Sequence, residues 1–359
     1  MQLNTEKIFI TGATGFIGGR IAEKLWIEFG IKSHCLVRNI SNAARLARLP
    51  VMIFPGDVLD KTSIEDAMEG CDTVLHCAYG NTNDSFLNNR INEEGTTNIC
   101  EIASNKGIKR LIYISSVAVY GPNPPSLVNE ETPTVFSDDE YSNSKIRAER
   151  ICFDFLNRGL SLIIIRPSIV FGPFSPIWTI GVIQRILVGG WENVKGMEGL
   201  CNPVYIDDLV DSLFLSINVD RAIGQIFIIS GERPITWNQY FSAYMKLTGL
   251  PTPREISETK RRLKAMSSTL LRAKLTFLRK FFEPQLQNIY HHLKDERPYL
   301  TYRLERIMRG GIRNKETKLF AHRTTYSIEK SRRILGYSPR SFEEGMRVTS
   351  EWLKHHRYI

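Results

Sequence analysis

The chain has 359 residues, 42% hydrophobic and 24% charged, proportions of a soluble globular protein with room for about two domains. Its start, Met-Gln-Leu-Asn-Thr-Glu-Lys, carries no apolar signal stretch, and no later run reaches the roughly 18 uncharged apolar residues of a membrane span, so a cytoplasmic location is expected. The net charge of +9 is local: residues 254–323 hold 18 Lys plus Arg against 7 Asp plus Glu, and the rest of the chain is nearly neutral.

The first 166 residues alternate short apolar runs with amphipathic stretches. Strands are expected at Lys7–Thr11, Ser33–Arg38, Val51–Phe54, Thr73–Cys77, Arg110–Ser115 and Leu162–Arg166, with helices near 15–29, 62–69, 86–105 and 142–158. Alternation of this kind describes βαβ units, and so an α/β fold with a Rossmann-type, doubly wound parallel sheet. Beyond Pro167 the pattern loosens. It still predicts a helix over Ile206–Ile217, a strand over Gln225–Ser230, and helices over Trp237–Thr248, Ile328–Leu335 and Phe342–Lys354.

Residues 11–18 read Thr-Gly-Ala-Thr-Gly-Phe-Ile-Gly, directly after Ile8-Phe9-Ile10. A buried strand that breaks into glycines and reopens as a helix is a seat for a dinucleotide pyrophosphate. Gly12 allows the turn, Gly15 lets backbone approach phosphate, and Gly18 lets helix pack closely on strand. The free N–H groups and positive end of that helix face the anion. Residues 1–166, with returns near 204–230, are therefore expected to form a dinucleotide-binding domain. Residues 167–359 make a smaller, discontinuous substrate lobe that includes a basic helical insertion at about 254–323.

Tyr141-Ser-Asn-Ser-Lys145 opens a helical stretch. At i and i+4 the two side chains share one face, and an ammonium beside a phenol favours the phenolate, making Tyr141 a proton acceptor near neutrality. The plainer alternative is a ring packed on a lysine stem. Ser115 and Ser116 close a predicted strand some way upstream, where serines also serve simple turns.

With the glycine loop, these elements resemble the extended short-chain dehydrogenase/reductase family, also called the NAD-dependent epimerase/dehydratase family. The resemblance spans nearly the whole chain outside 254–323. It rests on Thr11–Gly18, Gly56-Asp57, His76-Cys-Ala78, Asn92-Glu-Glu-Gly-Thr96, Ser115-Ser-Val-Ala-Val-Tyr-Gly121, Arg166-Pro-Ser-Ile-Val-Phe-Gly-Pro173, Val204-Tyr-Ile-Asp-Asp208 and Leu335-Gly-Tyr-Ser-Pro339. It implies that Tyr141 exchanges a proton with the substrate oxygen, Ser116 hydrogen-bonds that oxygen, and Lys145 holds the ribose and tunes Tyr141. It also implies a cofactor site formed by Gly12, Thr14, Gly15, Phe16, Ile17, Gly18, Arg38, Asp57, Val58, Ala78, Tyr79, Asn92, Tyr141, Lys145 and Pro167, and a homodimer.

Departures from the family pattern narrow the branch. Members that bind NAD end the second strand with an acidic residue, whereas Leu36-Val-Arg-Asn39 stands here. The Arg38 guanidinium suits a ribose 2′-phosphate and favours NADP(H) over NAD(H), the alternative being that it stacks on adenine. Val117 and Ala118 replace the Asp-Glu pair of the dehydratases and cannot exchange protons. Ile169 and Cys201 replace an Asn and an Arg that contact sugar nucleotides in the epimerases, and Tyr79 replaces a small residue near the nicotinamide. The expected function is hydride transfer at a secondary alcohol or ketone of a small-molecule substrate. A nucleotide-sugar epimerase is the alternative, and a non-catalytic nucleotide sensor of the same fold is a third reading.

From Lys260 to Leu293 apolar residues recur at helical spacing opposite a Lys/Arg-rich face. A packed lid helix, a clamp for an anionic substrate through Arg303, Arg306 or Arg309, and peripheral contact with anionic lipid through 260–293 remain alternatives. No recognition motif supports nucleic-acid binding. Cys35, Cys71, Cys77, Cys100, Cys152 and Cys201 form no Cys-x-x-Cys pair, and His291-His292 and His355-His356 lack ligand spacing. Buried thiols, surface histidines and no metal site are expected.

Overall fold

Seven short apolar runs pair in parallel to make the central sheet. They are β1 (Ile8–Thr11), β2 (His34–Val37), β3 (Met52–Pro55), β4 (Thr73–His76), β5 (Arg110–Ile114), β6 (Leu162–Pro167) and β7 (Ile226–Ile229). Their spatial order is β3-β2-β1-β4-β5-β6-β7. Every residue of β1, β2, β4 and β6 is buried, as a sheet covered on both faces requires, while Met52 of the edge strand β3 is 49% exposed. The computed structural model describes residues 2–82, 84–189, 193–194, 198–251, 255–257, 259 and 314–359.

The chain builds outward from β1 through β2 to β3, then crosses back to place β4 on the other side of β1. That reversal opens a crevice at the carboxyl ends of β1 and β4, where ligands of such sheets bind. Helices α1 (Phe16–Phe29), α2 (Lys61–Ala67), α3 (Ser85–Asn105) and α4 (Glu140–Asn157) carry the crossovers β1–β2, β3–β4, β4–β5 and β5–β6, while two short 3-10 turns join β2 to β3. Asp60, Asp84 and Asp139 cap the last three by accepting backbone N–H groups of their first turns. Gly15 caps α1 with no side chain, which leaves its first N–H groups without an internal acceptor.

The backbone is tightest where β1 ends. Gly12 has φ +68°, and a Cβ there would lie 2.8 Å from the Cys77 carbonyl and the Ala78 nitrogen. A Cβ on Gly18 would lie 2.4 Å from the Gly12 carbonyl oxygen. Gly12 thus supplies both the turn and a close approach to the β4 loop, and Gly18 seats α1 on that turn.

The chain forms two compact units, residues 1–171, 202–233 and 325–342, and residues 172–201, 234–324 and 343–359. The first therefore includes 325–342, which the sequence pattern assigns to the substrate lobe. Helix α5 (Ile206–Asn218) carries Asp207, which pairs bidentately with Arg20 of α1 at 2.6 and 2.8 Å, and Asp208, which accepts the Arg340 backbone N–H at 3.1 Å. Tyr337, just past Gly336, donates its hydroxyl to the Ser230 carbonyl at 2.8 Å. The Arg340–Asp208 and Tyr337–Ser230 contacts hold 325–342 to the rest of the first unit.

In the second unit an aromatic core gathers Trp178, Trp237, Tyr240, Phe241 and Phe320, with Trp237 and Phe320 centroids 4.5 Å apart. The ends of the basic stretch join it. Glu255–Ile256 pairs with Asn193–Val194, and helix Asn314–Ala321 brings Phe320 and an Arg185–Glu316 pair at 2.7 Å. The expected helix at 260–293 and Arg303, Arg306 and Arg309 lie outside the described residues. Among those described, no helix is long and apolar enough to cross a membrane, and no cluster of ligating side chains could hold a metal ion. All six cysteines are free, and His355 and His356 are exposed.

Gly18→Ala must push the α1 start off the Gly12 carbonyl. It is expected to destabilise the protein by more than about 1 kcal/mol, as overpacking does, and urea unfolding measures this.

Candidate active site

Most of the residues singled out from sequence meet at the carboxyl edge of the sheet, within the first unit. Thr14 and Gly15 are exposed and Phe16 and Ile17 half-buried at the uncapped start of α1. Bare N–H groups at a helix N-terminus, with no Cβ at Gly15 to obstruct them, fit a pyrophosphate. Arg38 is exposed at the end of β2. Asp57, after β3, uses Oδ1 to accept the Leu59 N–H at 3.0 Å, and Val58 packs against Gly95 of α3. Ala78 and Tyr79 follow β4, and Pro167 ends β6. A nicotinamide dinucleotide therefore fits the residues present.

Asn92 is 5% exposed, and both ends of its amide are engaged. Its Oδ1 accepts the Gly80 N–H at 2.8 Å, and its Nδ2 donates to Ser144 Oγ at 3.2 Å. It holds the loop after β4 against α4, and that use of its polar atoms leaves it a supporting role.

Ser116, Tyr141 and Lys145 converge from β5 and α4. Ser116 begins a single helical turn, Val117–Tyr120, and its Oγ accepts the Ala118 N–H at 3.1 Å. Its hydroxyl proton thereby points to another acceptor. Helix α4 is anchored where Tyr141 sits: Asn143 exchanges two hydrogen bonds with the Ser137 backbone at 2.9 and 2.8 Å, and Ser142 donates to the Ala118 carbonyl. The Ser142 bond ties the start of α4 directly to the turn after Ser116.

The electrostatics differ from the sequence expectation. Lys145 was expected to lower the Tyr141 hydroxyl, yet Lys145 Nζ donates to the Ile114 carbonyl at 2.7 Å and to the Tyr113 hydroxyl at 3.4 Å. Burial, the largest influence, raises the Tyr141 hydroxyl above the usual phenol value, and a hydrogen bond with Ser116 opposes it. Tyr141 is nevertheless 37% exposed, so one side of the ring is open while protein packs closely round the rest. Burial also pushes Lys145 down to about 8. The partner that favours the Tyr141 phenolate is Ser116.

Tyr79 completes the wall. Its ring meets Tyr141 edge to face with centroids 5.1 Å apart, and Lys145 Nζ lies 5.4 Å from its centroid. Burial first, and the neighbouring Tyr141 second, push its hydroxyl up to about 12. It is a neutral phenol at physiological pH.

Sequence reasoning missed a buried group behind Ser116. Glu149 accepts from Ser115 Oγ at 2.5 Å and from Arg166 at 2.8 and 2.6 Å, while Arg166 Nη1 donates to the Tyr120 hydroxyl at 2.8 Å. Glu149 and Arg166 are each 3% exposed. With all strong donors and acceptors paired, the buried charges brace both Ser115 and the turn after Ser116. The visible signal was spacing: Glu149 follows Lys145 by four residues, extending the Tyr141–Lys145 stripe along α4.

The profile of the NAD dependent epimerase/dehydratase family matches residues 8–229, and the chain belongs to that family. It is an NAD(P)-dependent oxidoreductase/epimerase of the extended short-chain dehydrogenase/reductase type. A 2-alkyl-3-oxoalkanoate reductase of Shewanella oneidensis is 28% identical over 68% of this chain and 66% of that protein. Short-chain dehydrogenase/reductase family 42E member 1 of Bos taurus is 27% identical over 98% of this chain and 88% of its own length. Among solved structures, gox2253 superposes with a TM-score of 0.73 at 25% identity, covering 99% of both chains. UDP-glucose 4-epimerase of Thermotoga maritima shares the fold, with a TM-score of 0.71 at 19% identity and 98% of this chain covered.

Burial opposes a charged Lys145, so the folded protein binds that proton less tightly than the unfolded chain. The resulting cost is complete below about pH 8 and disappears as pH rises towards the ordinary lysine value of 10.5. Lys145→Met should therefore raise the melting temperature near neutral pH, with the gain over wild type shrinking towards alkaline pH. Thermal unfolding of both proteins across that range measures it.

Proposed function

We propose that the protein is an NADP(H)-preferring reductase or dehydrogenase acting at a secondary alcohol or ketone. The observation that carries this reading is the convergence of Ser116, Tyr141 and Lys145 beside a complete nucleotide loop in one unit. A bound nicotinamide dinucleotide supplies or accepts the hydride. Ser116, whose Oγ already accepts the Ala118 N–H, turns its one hydroxyl proton from Tyr141 to the substrate oxygen when substrate binds. Tyr141 gives a proton to that oxygen in reduction and takes it back in oxidation, and its raised hydroxyl suits the donor role. Lys145, held by the Ile114 carbonyl, keeps a cation near the ribose.

Several features favour net redox chemistry over sugar epimerisation. Cys201 is fully buried and presents no guanidinium, and Ile169 sits in a strand pair with Pro203. Val117, 8% exposed, is apolar and cannot serve as a dehydratase acid. The Shewanella relative is named as a reductase of a 2-alkyl-3-oxoalkanoate, so a branched 3-oxo acid is the first substrate to assay. An Escherichia coli relative, 30% identical over 65% of this chain, is named as an undecaprenol-linked N-acetylglucosaminyl 4-epimerase, which keeps epimerisation as the second reading. Exposed Arg38 supports NADP(H) through a 2′-phosphate. A homodimer and contact with anionic lipid through 260–293 extend the same reading.

The assay follows reduced-nicotinamide absorbance with 2-alkyl-3-oxoalkanoates and with UDP-sugars. Stoichiometric NADPH oxidation with the oxo acid supports the reductase, whereas sugar conversion with no net cofactor change supports the epimerase. Tyr141→Phe should lower turnover at least about 100-fold with cofactor affinity nearly unchanged; full turnover in that variant would remove Tyr141 from the proton transfer. Arg38→Asp should reverse the preference between NADPH and NADH in a fluorescence titration. An unchanged ratio would dismiss Arg38 as the selecting residue.

A further inference from the structure

A chain of buried hydrogen bonds runs beneath the crevice and touches none of Ser116, Tyr141 and Lys145 through a side chain. His76, the last residue of β4, is 1% exposed. Its Nδ1 lies 2.7 Å from Thr11 Oγ1, and its Nε2 lies 3.1 Å from Thr96 Oγ1. Thr96 Oγ1 donates to the Asn92 carbonyl at 2.6 Å, and Thr11 Oγ1 accepts the Ala78 N–H at 3.1 Å.

The distances favour one assignment, because the single Thr96 hydrogen has the Asn92 carbonyl at 2.6 Å and His76 Nε2 at 3.1 Å. A threonine hydroxyl has a single hydrogen, and Thr96 spends its hydrogen on the Asn92 carbonyl. Thr96 can therefore only accept from His76, which puts the imidazole proton on Nε2. Nδ1 is then a bare acceptor, and Thr11 donates to it while accepting from Ala78. Direction is conserved along both arms: Ala78 N–H to Thr11 O–H to Nδ1, and Nε2–H to Thr96 O–H to the Asn92 carbonyl. A second proton on His76 would set Nδ1–H against the Thr11 hydroxyl proton. Burial, with the Lys145 charge adding to it, holds the ring neutral, and the other ring facing it, Tyr113, is 5.5 Å away between centroids.

We infer that neutral, Nε2-protonated His76 is a positioning residue that sets the Ala78–Gly80 loop, and with it the nicotinamide end of the cofactor site. The first arm fixes the Ala78 amide. The second fixes Thr96 and Asn92 on α3, and the Asn92 side chain in turn accepts the Gly80 N–H and donates to Ser144. Ser144 donates to the Tyr141 carbonyl at 2.8 Å, so the loop and the start of α4 share one scaffold. Tyr79 lies between the two held amides. This inference rests on the dinucleotide reading of the crevice and adds a division within it: the pyrophosphate end depends on α1, the nicotinamide end on His76.

That division is testable with two ligands of the whole protein, NADH and ADP-ribose, which lacks the nicotinamide. Thr96 lies on α3, one side chain removed from the loop, so Thr96→Val reaches the cofactor only through His76 and Asn92. The variant should weaken NADH binding about tenfold, as an orphaned buried donor does, and leave ADP-ribose affinity within about threefold of wild type. Thr96→Ser, which keeps the hydroxyl, should restore NADH binding. Equal losses for both ligands, or no loss for NADH, would overturn the inference while leaving the dinucleotide site intact. Failure of the wild-type protein to bind both ADP-ribose and its 2′-phosphorylated form would overturn the site and the inference together. Imidazole nitrogen NMR supplies a readout independent of ligands: His76 should show a protonated Nε2, a bare Nδ1 and no titration between about pH 5 and 8. A protonated Nδ1, or a titrating ring, would refute the assignment even in a variant-free protein.

Discussion

Main chain lies against main chain at the end of β1, and the site depends on that contact. Gly12 sits against the Cys77–Ala78 peptide, and α1 rests on the Gly12 carbonyl through Gly18. A side chain at either place would separate the nucleotide loop from the loop after β4. Because both follow adjacent parallel strands at the reversal of strand order, their separation also sets the width of the crevice. The absence of a side-chain cap on α1 belongs to the same arrangement, since a capping side chain would take up the N–H groups that face an anion.

Around that contact the protein uses buried polar side chains as struts. Thr11, His76 and Thr96 connect β1, β4 and α3, while Ser115, Glu149, Arg166 and Tyr120 connect β5, α4 and β6. Such groups are costly to bury unless fully paired, and once paired they admit few alternative geometries. Tyr141 and Ser116 are thereby delivered by elements whose polar neighbours are already satisfied. In the proposed reaction, the open side of the Tyr141 ring is where the reacting oxygen approaches.

Much of this organisation was legible in the chain. The strands of the sheet and the helices α1 to α4 fall within a residue or two of the expected spans, because each is a short apolar run or an amphipathic stretch, and three of the helices open on an Asp cap. Convergence of Ser116, Tyr141 and Lys145 followed from their places at a strand end and on one helix face. The electrostatic expectation failed for a definite reason: spacing of i and i+4 puts Lys145 near Tyr141 without saying which acceptor its ammonium takes. The Ile114 carbonyl, supplied by β5, takes it.

The sequence by itself determined the order and type of the elements of the parallel sheet, the glycine-rich turn into α1 and the placing of Tyr141 and Lys145 on one helix face. These depend on local periodicity and on which atoms each residue carries. Only the tertiary structure decided that residues 325–342 return to the first unit, that Asn92 supports a loop, and that His76 has a single tautomer. Each of those depends on partners far away in the chain. Asp208 meets Arg340, Gly80 meets Asn92, and Thr11 meets His76. A hydrogen bond has a direction only once both of its ends are known.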